Sequence, residues 1–546
     1  MIFRYILNIV FIIICITEVA LSQYAPEEEW NARFNGTSSG NDYAYDMEVD
    51  AEGNAYVTGI AFMNGARKIV TIKYNSQNII MWFAEYNGAP NNLSSEQVHI
   101  KLDNSGNVYV TAATDGAGDD ITLIKYNPFG NEQWVKKYSG AGSFADEPRG
   151  LAIDNSGNIF VCGRIWNGAG GDDYVTLKYN TAGELLWSKT YNGTGNNNDQ
   201  PNSITINLND DVFVTGQSFG NGTARDYVTI KYNSNGDEQW VKRYSHSANR
   251  DDIATTILSN GSDVIVTGYS YDLITRNDIV TIKYNSNGDQ VWSARYNGPT
   301  DSTDKAYSMT IDPAGNIFIA GESFRSTARN MDMCAVKYNS NGNQLLTFVY
   351  NHPTSTWIDV AKRITYDNIG NVYLGGHSWI VGQEYNYNVV CFKPDGEFFW
   401  SILYNGPRNK TELMYDMILL NNRYIYVTGY SMGNTSMNDY ATVKYSQQVG
   451  INIVSSQTPS SYKLYQNYPN PFNPSTKIAF DLPKRDFVSL KLYDVTGKEV
   501  KTLLNADMNI GKYEYELNAS DLNSGIYFYT LITSSFKETK KMLLVK

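Results

Sequence analysis

Short runs of alternating apolar and polar residues fill most of the chain. In the segment 226–232, three apolar residues alternate with threonine and lysine, which is the period of two typical of a β-strand. Residues 233–236 (Asn-Ser-Asn-Gly) have turn chemistry, with Gly236 free to adopt a positive φ. The next alternating run places Trp240 and Tyr244 on one face of a second strand. The pattern predicts a β-hairpin, and helical periodicity is absent.

The aromatic residue that ends the first of these strands recurs every 52 to 54 residues. It is found at Tyr74, Tyr126, Tyr179, Tyr232, Tyr284, Tyr338, Phe392 and Tyr445. The tryptophan position recurs in parallel at Trp30, Trp82, Trp134, Trp187, Trp240, Trp292, Leu346 and Trp400. Between them, an Asp-x-x-Gly-Asn turn recurs, starting at Asp50, Asp103, Asp154, Asp312 and Asp367. Each unit therefore holds four short strands.

Four-stranded units of this length arranged radially form a β-propeller, and a linear β-solenoid is the alternative. Both the tyrosine and the tryptophan position occur eight times, which predicts eight blades. The strand around Trp30 has no preceding strand to pair with, and the last unit ends at Tyr445 without a tryptophan strand. We therefore expect an all-β, eight-bladed β-propeller closed by the N-terminal strand. Such closure leaves no edge strand open to aggregation.

Chain order predicts how each blade is arranged. If the tryptophan strand is outermost, the strand before the Asp-x-x-Gly-Asn turn lines the channel, and both tight hairpins lie on one face. The long connections then share the opposite face, which we name the long-loop face. Examples of these connections are 87–95, 139–147, 192–200 and 297–305 between blades, and 166–172 and 219–225 within blades. Variable loops on a fixed scaffold usually carry binding specificity, so we expect this face to bind a ligand.

A carboxylate precedes the closing aromatic by six residues in most units. These aspartates are Asp120, Asp173, Asp226, Asp278, Asp332 and Asp439, with Lys68 and Asn386 in the two remaining units. One hypothesis is a negatively charged collar that binds cations or a cationic ligand. The favoured hypothesis is a structural ring, in which each aspartate accepts backbone N–H groups where a loop enters a strand. A feature repeated in nearly every blade follows the symmetry that a binding site normally breaks.

Charge and the N-terminal sequence pattern limit the possible partners and the cellular location of the protein. The net charge is −12 and no basic patch is present, so we expect no nucleic acid partner. Residues 1–22 have the pattern of a signal peptide, with Arg4 before an apolar core and small residues at the expected cleavage site. After cleavage, we expect no transmembrane segment in the mature chain.

Residues with catalytic or metal-binding potential are scarce. The four histidines show no metal-ligand spacing, and the motifs of serine hydrolases, phosphate-binding loops and zinc proteases are absent. We therefore predict no catalytic, cofactor-binding or metal-binding residues, and no cofactor. Cys162, Cys334 and Cys391 are expected to be buried thiols. Paired carboxylates for sugar chemistry need only meet in space, so the sequence leaves that chemistry open.

The repeat pattern stops near residue 450, and the length of 546 residues predicts more than one domain. We expect residues 23–450 to form the propeller, 451–461 a polar linker and 462–546 a second domain. Strands of the second domain are predicted at 477–482, 488–493, 512–517 and 525–533, with a last strand running into 540–546. Alternating strands over this length indicate a small immunoglobulin-like β-sandwich.

Two families are similar to these two parts of the chain. The repeated units beginning at Asp103 and Val228 resemble the bacterial SBBP β-propeller repeat, which implies the fold and no common activity. The tail resembles the type A C-terminal sorting domain of type IX secretion. The residues that carry this second resemblance are Pro469, Asn470, Pro471, Phe472, Asn473, Pro474, Gly497, Gly525 and Tyr527.

The resemblance to the sorting domain implies an export pathway and a final location. It implies export through the periplasm and recognition of residues 462–546 by the type IX secretion machinery. The protein would then be secreted or held at the outer cell surface.

Three functions are compatible with the sequence. The favoured one is a secreted or cell-surface binding protein whose ligand is a glycan or a protein. The first alternative is an extracellular hydrolase or lyase that acts on polysaccharide with carboxylates in the central cleft. The second alternative is a structural component of an extracellular matrix. The lack of catalytic motifs favours binding.

Overall fold

The structure is a computed structural model. It describes residues 25–546 apart from 39, 90–96, 116–117, 142–143, 169, 247–248, 327–329, 354–356, 369, 435, 448–450, 456–458, 509 and 520–521. The described residues form forty β-strands and no α-helix. Consequently, no described helix has the length and apolar character needed to cross a membrane. The expected signal peptide, residues 1–22, lies outside the described residues.

The chain divides into two compact units, one of them Glu28–Tyr445 and the other containing Ser446–Lys546. In the first unit, the described strands form eight four-stranded sheets, numbered here in chain order. The strand that precedes them is β1 (Glu27–Phe34). Sheets 1 and 2 contain β2 (Tyr43–Val49), β3 (Ala55–Met63), β4 (Ala66–Tyr74), β5 (Ile80–Asn87), and then β6 (Val98–Leu102), β7 (Val108–Asp115), β8 (Asp119–Tyr126), β9 (Glu132–Tyr138).

The next four sheets have the same antiparallel order. Sheets 3 and 4 contain β10 (Glu147–Ile153), β11 (Ile159–Trp166), β12 (Asp172–Tyr179), β13 (Leu185–Tyr191), and then β14 (Gln200–Ile206), β15 (Val212–Phe219), β16 (Arg225–Tyr232), β17 (Glu238–Tyr244). Sheets 5 and 6 contain β18 (Asp252–Asn260), β19 (Asp263–Asp272), β20 (Arg276–Tyr284), β21 (Gln290–Tyr296), and then β22 (Asp304–Ile311), β23 (Ile317–Ser326), β24 (Asn330–Tyr338), β25 (Gln344–Tyr350).

The last sheet is completed by the start of the chain. Sheet 7 contains β26 (Asp359–Tyr366), β27 (Val372–Ile380), β28 (Glu384–Phe392) and β29 (Phe398–Tyr404). Sheet 8 contains β30 (Glu412–Leu420), β31 (Tyr424–Met432) and β32 (Asn438–Ser446). Its fourth strand is β1, which lies beside β32 in the position that the tryptophan strand takes in the other sheets. The sequence predicts this position for the Trp30 segment.

Apolar side chains fill the space between consecutive sheets. The middle strands are buried on both faces, as in β3 and β7, because a sheet packs against each of their sides. One core layer joins sheet 1 to sheet 2 through residues such as Ile60 and Val110. Another joins sheet 8 to sheet 1 and includes Met47, Val57 and Tyr440. This all-β arrangement of many four-stranded sheets is consistent with a propeller.

The repeated tryptophans link each sheet to the next. Trp82 donates Nε1–H to the carbonyl oxygen of Pro128 at 3.0 Å, and Trp240 donates to that of Ser286 at 3.1 Å. The acceptor is in each case in the hairpin between the third and fourth strands of the following sheet. Trp30 of β1 makes the equivalent bond to Ser76 of sheet 1, at 3.1 Å. The N-terminal strand therefore contacts sheet 1 as the fourth strand of a preceding sheet would.

These hairpins have the predicted turn chemistry. Gly236 adopts a φ of +84°, and its N–H donates to the carbonyl oxygen of Asn233 at 2.9 Å. A side chain here would also collide with the indole of Trp187, since an added Cβ would lie 2.8 Å from it. Glycine is thus needed both for the left-handed backbone and for the tryptophan link.

The second unit contains two four-stranded sheets that share one hydrophobic core, including Phe480, Leu490 and Tyr529. In sheet order, the first consists of β33 (Ile451–Ser455), β38 (Gly511–Asn518), β35 (Ser475–Leu482) and β34 (Lys463–Leu464). The second consists of β37 (Glu499–Met508), β36 (Asp486–Tyr493), β39 (Gly525–Ile532) and β40 (Lys537–Leu544).

Two elements of this unit differ from the sequence expectation. Residues 451–455, the first half of the segment expected as a linker, form β33 and pair with β38. Their Ile-Asn-Ile-Val pattern has the β-branched residues and the period of two that favour a strand. Strand β37, which pairs with β36, is not among the predicted strands, because the adjacent Leu503 and Leu504 interrupt the alternation of apolar and polar residues.

Candidate functional site

The first strand of every sheet contacts the first strands of both neighbouring sheets, and β30 of sheet 8 contacts β2 of sheet 1. These eight strands therefore surround a common centre, and we call them the inner strands: β2, β6, β10, β14, β18, β22, β26 and β30. Each begins directly after a connection on the long-loop face. Residues near the start of an inner strand consequently lie near that face.

Seven inner strands carry a β-bulge close to their start, as at Tyr45 in β2 and Tyr415 in β30. Bulges redirect side chains and are frequent near functional sites. In sheets 3 to 6, the residue after the bulge is small: Gly150, Ser203, Thr256 and Ser308. In the four consecutive sheets 7, 8, 1 and 2, the corresponding residue is Arg363, Asp416, Asp46 and His99. One half of this row is therefore charged or titratable.

We call these four residues, together with Glu48 and Lys101 farther along the inner strands, the charged sector. Arg363 donates from Nε to Oδ1 of Asp416 at 2.6 Å, which links sheet 7 to sheet 8. Asp416 accepts the backbone N–H of Met47 in sheet 1 at 3.3 Å. The charged contacts thus run from one inner strand to the next.

The sector continues into sheet 2. Asp46 accepts the backbone N–H of Ile100 at 2.9 Å, and its Oδ2 lies 4.0 Å from Nδ1 of His99. Lys101 forms a close ion pair with Glu48. The side chain of Asp46 is 15% exposed, whereas those of Arg363 and Lys101 are 38% and 43% exposed. The cations are therefore reachable from solvent, and the carboxylates are held behind them.

Burial, and next the charge of Asp416, raise the pKa of Asp46 well above its ordinary value, while Lys101 and Arg363 act in the opposite direction. Asp46 therefore retains a proton at pH values where an exposed aspartate has lost it. An acid of this kind can donate a hydrogen bond or a proton to a ligand.

Four tyrosines contact one another beside the sector, and one of them, Tyr45, is buried between sheets 1 and 2. The Tyr43 ring stacks on Tyr45 with centroids 5.9 Å apart and meets Tyr430 edge-on at 4.9 Å. Tyr45 meets Tyr415 edge-on at 5.3 Å. Because Tyr45 and Tyr415 are bulge residues, each directly precedes one of the two aspartates of the sector. The site thus combines aromatic faces, phenol groups, two cations and partly shielded carboxylates.

The aspartate ring expected from the sequence lies inside the third strands of the sheets. Asp226 accepts from Arg243 Nη1 at 2.8 Å, and Asp278 accepts from Arg295 Nη1 at 2.7 Å. Asp439 accepts from Arg33, which β1 supplies, at 2.9 Å. In all three cases the arginine is on the fourth strand of the same sheet. The N-terminal strand therefore supplies sheet 8 with the arginine that sheets 4 and 5 carry on their own fourth strands.

The other three aspartates of the ring have smaller donors. Asp120 accepts from Ser139 Oγ at 2.7 Å, Asp173 from Asn167 Nδ2 at 2.7 Å, and Asp332 from Asn351 Nδ2 at 2.7 Å. The donors found on the ring are side chains, whereas the sequence analysis expected backbone N–H groups. The physical reason is that these positions are inside strands, where the backbone groups pair with the neighbouring strand.

Sheet 1 carries the same pair with its charges exchanged. Lys68 occupies the aspartate position and contacts Glu85 of the fourth strand at 2.9 Å. In sheet 7, the arginine position is Leu403 and the aspartate position is the neutral Asn386. In sheets 1, 2, 4, 5 and 8, the charge at this position is therefore matched by an opposite charge on the neighbouring strand. This pattern is typical of packing and unlike a common ligand site.

A second ring of acids was missed by the sequence analysis. It is formed by residues at or just before the start of inner strands: Asp42, Asp146, Asp199, Asp252, Asp304, Asp359 and Glu412. Asp42, for example, accepts the backbone N–H groups of Gly36 at 2.6 Å and Phe62 at 2.7 Å. Burial raises the pKa of Asp42 to about 6, that of Asp359 to about 7 and that of Glu412 to about 8. The repeated Gly-x5-Asp spacing, as between Gly36 and Asp42, is the sequence signal that could have revealed this ring.

The described residues contain no group of three or more His, Cys, Asp or Glu side chains arranged to hold a metal ion. Cys162, Cys334 and Cys391 are free and buried, as expected. Burial raises the pKa of Cys162 and Cys334 to about 12, so these thiols stay protonated. They are packing residues between sheets.

The sorting motif forms an exposed segment fixed to the last strand of the chain. Phe472 is buried, and it exchanges backbone hydrogen bonds with Leu543 and Val545 at 3.0 Å each. Asn470 accepts the N–H of Leu543 through its side chain at 2.9 Å. The exposed residues of the segment are Pro469, Asn470, Pro471, Asn473 and Pro474.

The remaining motif residues lie in turns and strands nearby. Gly497 turns between β36 and β37 with a φ of +83°, and Gly525 begins β39 opposite Leu544. Tyr527 donates its hydroxyl to the carbonyl oxygen of Asn523 at 2.9 Å. The motif thus combines a buried anchor, Phe472, with polar and proline surface on one edge of the sandwich.

Comparisons with known sequence families match both parts of the chain. Residues 466–546 match the family described as "Secretion system C-terminal sorting domain". Residues 133–168 and 291–323 match the family described as "Beta-propeller repeat", and each match runs from a fourth strand into the first two strands of the next sheet. The chain therefore carries β-propeller repeats and a C-terminal sorting domain, which indicates export to the cell surface or the medium. The comparison with curated proteins gives no match.

Several solved structures are similar to the chain at low identity. PorZ, described as an essential bacterial surface component of the type-IX secretion system of Porphyromonas gingivalis, is 13% identical, with 93% of this chain and 75% of that chain covered and a TM-score of 0.40. A fungal alcohol oxidase of the AA5 family is 11% identical, with 95% and 100% covered and a TM-score of 0.41. A polysaccharide lyase of family PL25 is 10% identical, with 76% and 95% covered and a TM-score of 0.39.

Proposed function

We propose that this protein is an exported, eight-bladed β-propeller that binds an extracellular glycan or protein at its long-loop face. Residues 1–22 act as signal peptide, residues 23–450 form the propeller and residues 462–546 form an immunoglobulin-like sorting domain. The ring is closed by β1, which adds the fourth strand of sheet 8. The cycle of contacts between inner strands and the bond from Trp30 to Ser76 support this closure.

The binding proposal rests on one observation: the charged sector and its tyrosines break the symmetry of the inner wall next to the long-loop face. Structural features of this protein, such as the tryptophan links, recur from sheet to sheet. Aromatic and charged groups that converge on one part of a scaffold are typical of binding sites. The aspartate ring, by contrast, is proposed to be structural, because each of its aspartates accepts a hydrogen bond from a side chain of the same sheet or of a connection next to it.

A glycan and protein array probed with the purified mature protein tests the proposal. We expect specific binding to at least one class, weakened at least tenfold by Arg363→Met or Asp46→Asn. Ser203→Ala is the matched control, because Ser203 holds the same position in sheet 4, which contributes no residue to the charged sector. The binding proposal fails if the wild-type protein binds nothing on the array. The assignment of the sector fails if the charged-sector variants bind as Ser203→Ala does.

A second candidate function is polysaccharide cleavage, and the raised pKa of Asp46 beside Asp416 is the observation that favours it. A carboxylic acid that keeps its proton beside a second carboxyl group is the arrangement used for general acid catalysis on glycosidic bonds. Release of new sugar ends from a polysaccharide panel would reveal this activity. We expect it to be abolished in Asp46→Asn, and a fully active Asp46→Asn would exclude Asp46 as the acid.

We propose that the type IX secretion machinery recognises the sorting domain at the outer membrane. Truncation after Ser461 should therefore leave the protein in the periplasm. Fractionation of cells that express the truncated and the full chain measures this. Normal appearance of the truncated protein outside the cell would contradict the proposal.

A further inference from the structure

The second strand of each sheet ends on the long-loop face, and most sheets have an aromatic residue at this end. In chain order, the position holds Phe62, Asp115, Trp166, Phe219, Tyr271, Phe324, Trp379 and Met432. In sheet 1, Gly40 covers this aromatic residue, since a Cβ added there would lie 2.4 Å from Cβ of Phe62. In sheet 5, the guanidinium of Arg250 lies 5.0 Å from the centroid of Tyr271. A glycine or an arginine therefore suffices to cover this position.

Sheet 7 uses a tryptophan instead. Trp357, in the connection before β26, stacks on Trp379 with ring centroids 5.4 Å apart and planes at 30°. The side chain of Trp357 is 54% exposed. Sheet 3 also has an aromatic cover, Phe144, whose ring centroid lies 4.4 Å from that of Trp166. Gly40 shows that the fold does not need an aromatic residue here, so the indole of Trp357 is larger than the cover that packing requires. Exposed aromatic surface of this kind marks binding sites.

The stack continues from Trp357 over the second and third strands of sheet 7. Trp379 meets Tyr385 at 5.0 Å and 81°, and Tyr385 meets His377 at 5.3 Å and 87°. We call these four residues the aromatic ladder. His377 is 8% exposed, and its Nδ1 is buried without a hydrogen-bond partner among the described residues. Burial, and then Lys362, lower the pKa of His377 to about 3, so the imidazole is neutral.

The size of the exposed surface indicates which ligand fits. A tryptophan side chain presents at most about 250 Å², so Trp357 exposes roughly 130 Å². A specific protein interface buries about 800 Å² on each partner, which is several times larger. A single flat indole face matches the apolar C–H face of one pyranose ring.

Polar groups flank the ladder. Glu384, which precedes Tyr385, accepts hydrogen bonds from Lys410 at 2.8 Å and Thr411 at 2.6 Å. These groups come from two different connections on the long-loop face. A sugar ring on Trp357 would thus meet an aromatic face with hydrogen-bonding groups beside it, a combination typical of small-molecule sites.

We infer that the aromatic ladder of sheet 7 is a carbohydrate-binding subsite in which a pyranose ring stacks on the outer face of Trp357. This inference rests on the proposed function, because it names the glycan as the ligand and Trp357 as its first contact. Lys362 of the inner strand β26, whose charge acts on His377, has its Nζ 4.1 Å from the ring centroid of Tyr307 on the neighbouring inner strand.

An oligosaccharide array followed by titration calorimetry on the purified mature protein tests the inference. We expect Trp357→Ala to weaken binding of the best oligosaccharide at least tenfold and Trp357→Phe to retain part of the affinity. Phe129→Ala is the matched control, because Phe129 is 78% exposed but lies in a hairpin of the opposite face. Thermal unfolding of each variant checks that the fold is intact, and Trp357→Ala is expected to fold because its indole is half in water.

Failure of the subsite and failure of the proposed function give different results. If the wild-type protein binds oligosaccharides and Trp357→Ala binds within twofold of it, the subsite is refuted and the binding function stands. If the wild-type protein binds only protein partners, the glycan is refuted as the ligand. If it binds neither, the proposed function itself fails.

Discussion

Arg33 holds the N-terminal strand in sheet 8, and its loss should open that strand selectively. Its guanidinium donates to Asp439 at 2.9 Å, to Oγ and the carbonyl oxygen of Ser431 at 2.7 and 2.8 Å, and to the hydroxyl of Tyr404 at 3.1 Å. Replacement by methionine keeps most of the apolar stem and removes all of these bonds. Asp439, whose side chain is 7% exposed, would then be a buried carboxylate without its cation.

Removing one partner of a buried ion pair costs about 3–5 kcal/mol. The side chain of Arg33 is 22% exposed, so we take the lower end, about 3 kcal/mol. Because β1 is joined to the other described strands only through the connection that follows it, it can detach while the other sheets remain folded. A cost of about 3 kcal/mol would raise the population of the detached strand roughly a hundredfold.

The internal control is Arg243→Met in sheet 4. Arg243 makes an almost identical set of bonds, to Asp226 at 2.8 Å, to Ser218 Oγ at 2.7 Å and to Tyr191 at 3.3 Å. Its strand β17 is held by chain on both sides, however, so it cannot detach alone. We expect this variant to lower the unfolding temperature without a local change in exchange.

Hydrogen exchange measured by mass spectrometry separates the two variants. In Arg33→Met, amides of 27–34 and 438–446 should exchange roughly a hundredfold faster at neutral pH, with sheets 2 to 6 unchanged. Adding Asp439→Asn should restore part of the protection, because it removes the orphaned charge. Equal and uniform effects of Arg33→Met and Arg243→Met, or unchanged exchange in 27–34, would refute the reasoning.

Three further predictions concern other parts of the molecule. Glu412 is fully buried with its pKa raised to about 8, so it favours folding while protonated and this contribution is lost as the pH rises from about 4.5 to 8. In urea unfolding, the free energy of unfolding of Glu412→Gln should therefore exceed that of wild type by an amount that grows by up to about 4 kcal/mol between pH 5 and 8. A difference between the two proteins that does not change with pH would contradict this. Lys68→Glu and Glu85→Lys should each lower stability by about 0.5–1 kcal/mol, whereas the exchanged double variant should unfold near the wild-type temperature. Phe472→Ala should destabilise the sorting domain by about 3–5 kcal/mol, because Phe472 is buried, whereas Asn473→Ala should leave the stability unchanged. An export defect in Asn473→Ala would therefore identify Asn473 as a recognition residue.

The repeat pattern was sufficient to predict the strands and their order, because a period of two and a fixed spacing are local properties of the chain. The sequence predicted the place of β1 as well, since an unpaired Trp30 segment and an incomplete last unit complement each other. The reason for each tryptophan was not predictable, because the bond from Trp82 to Pro128 joins residues of different repeats. Such contacts depend on how the sheets pack.

The candidate site could be predicted from the sequence to a smaller extent than the strands. Asp46, Arg363 and Asp416 each lie in an ordinary strand segment, and their proximity arises only when sheets 7, 8 and 1 become neighbours around the centre. A repeat alignment compares equivalent positions, but bulges shift these positions by one residue in all inner strands except β6. The exchanged pair of Lys68 and Glu85 was likewise hidden, because only the structure shows that they are partners.

The pairing of β1 with β32 has a consequence for the timing of assembly during export. About 400 residues separate the two strands, so the first segment to emerge must wait for the last repeat before it has a partner. Joining ends this far apart costs roughly 5 kcal/mol of chain entropy, which only a nearly complete set of packed blades can offset. A chain stalled part-way through a membrane would therefore lack β32, and its N-terminal strand would still have no partner.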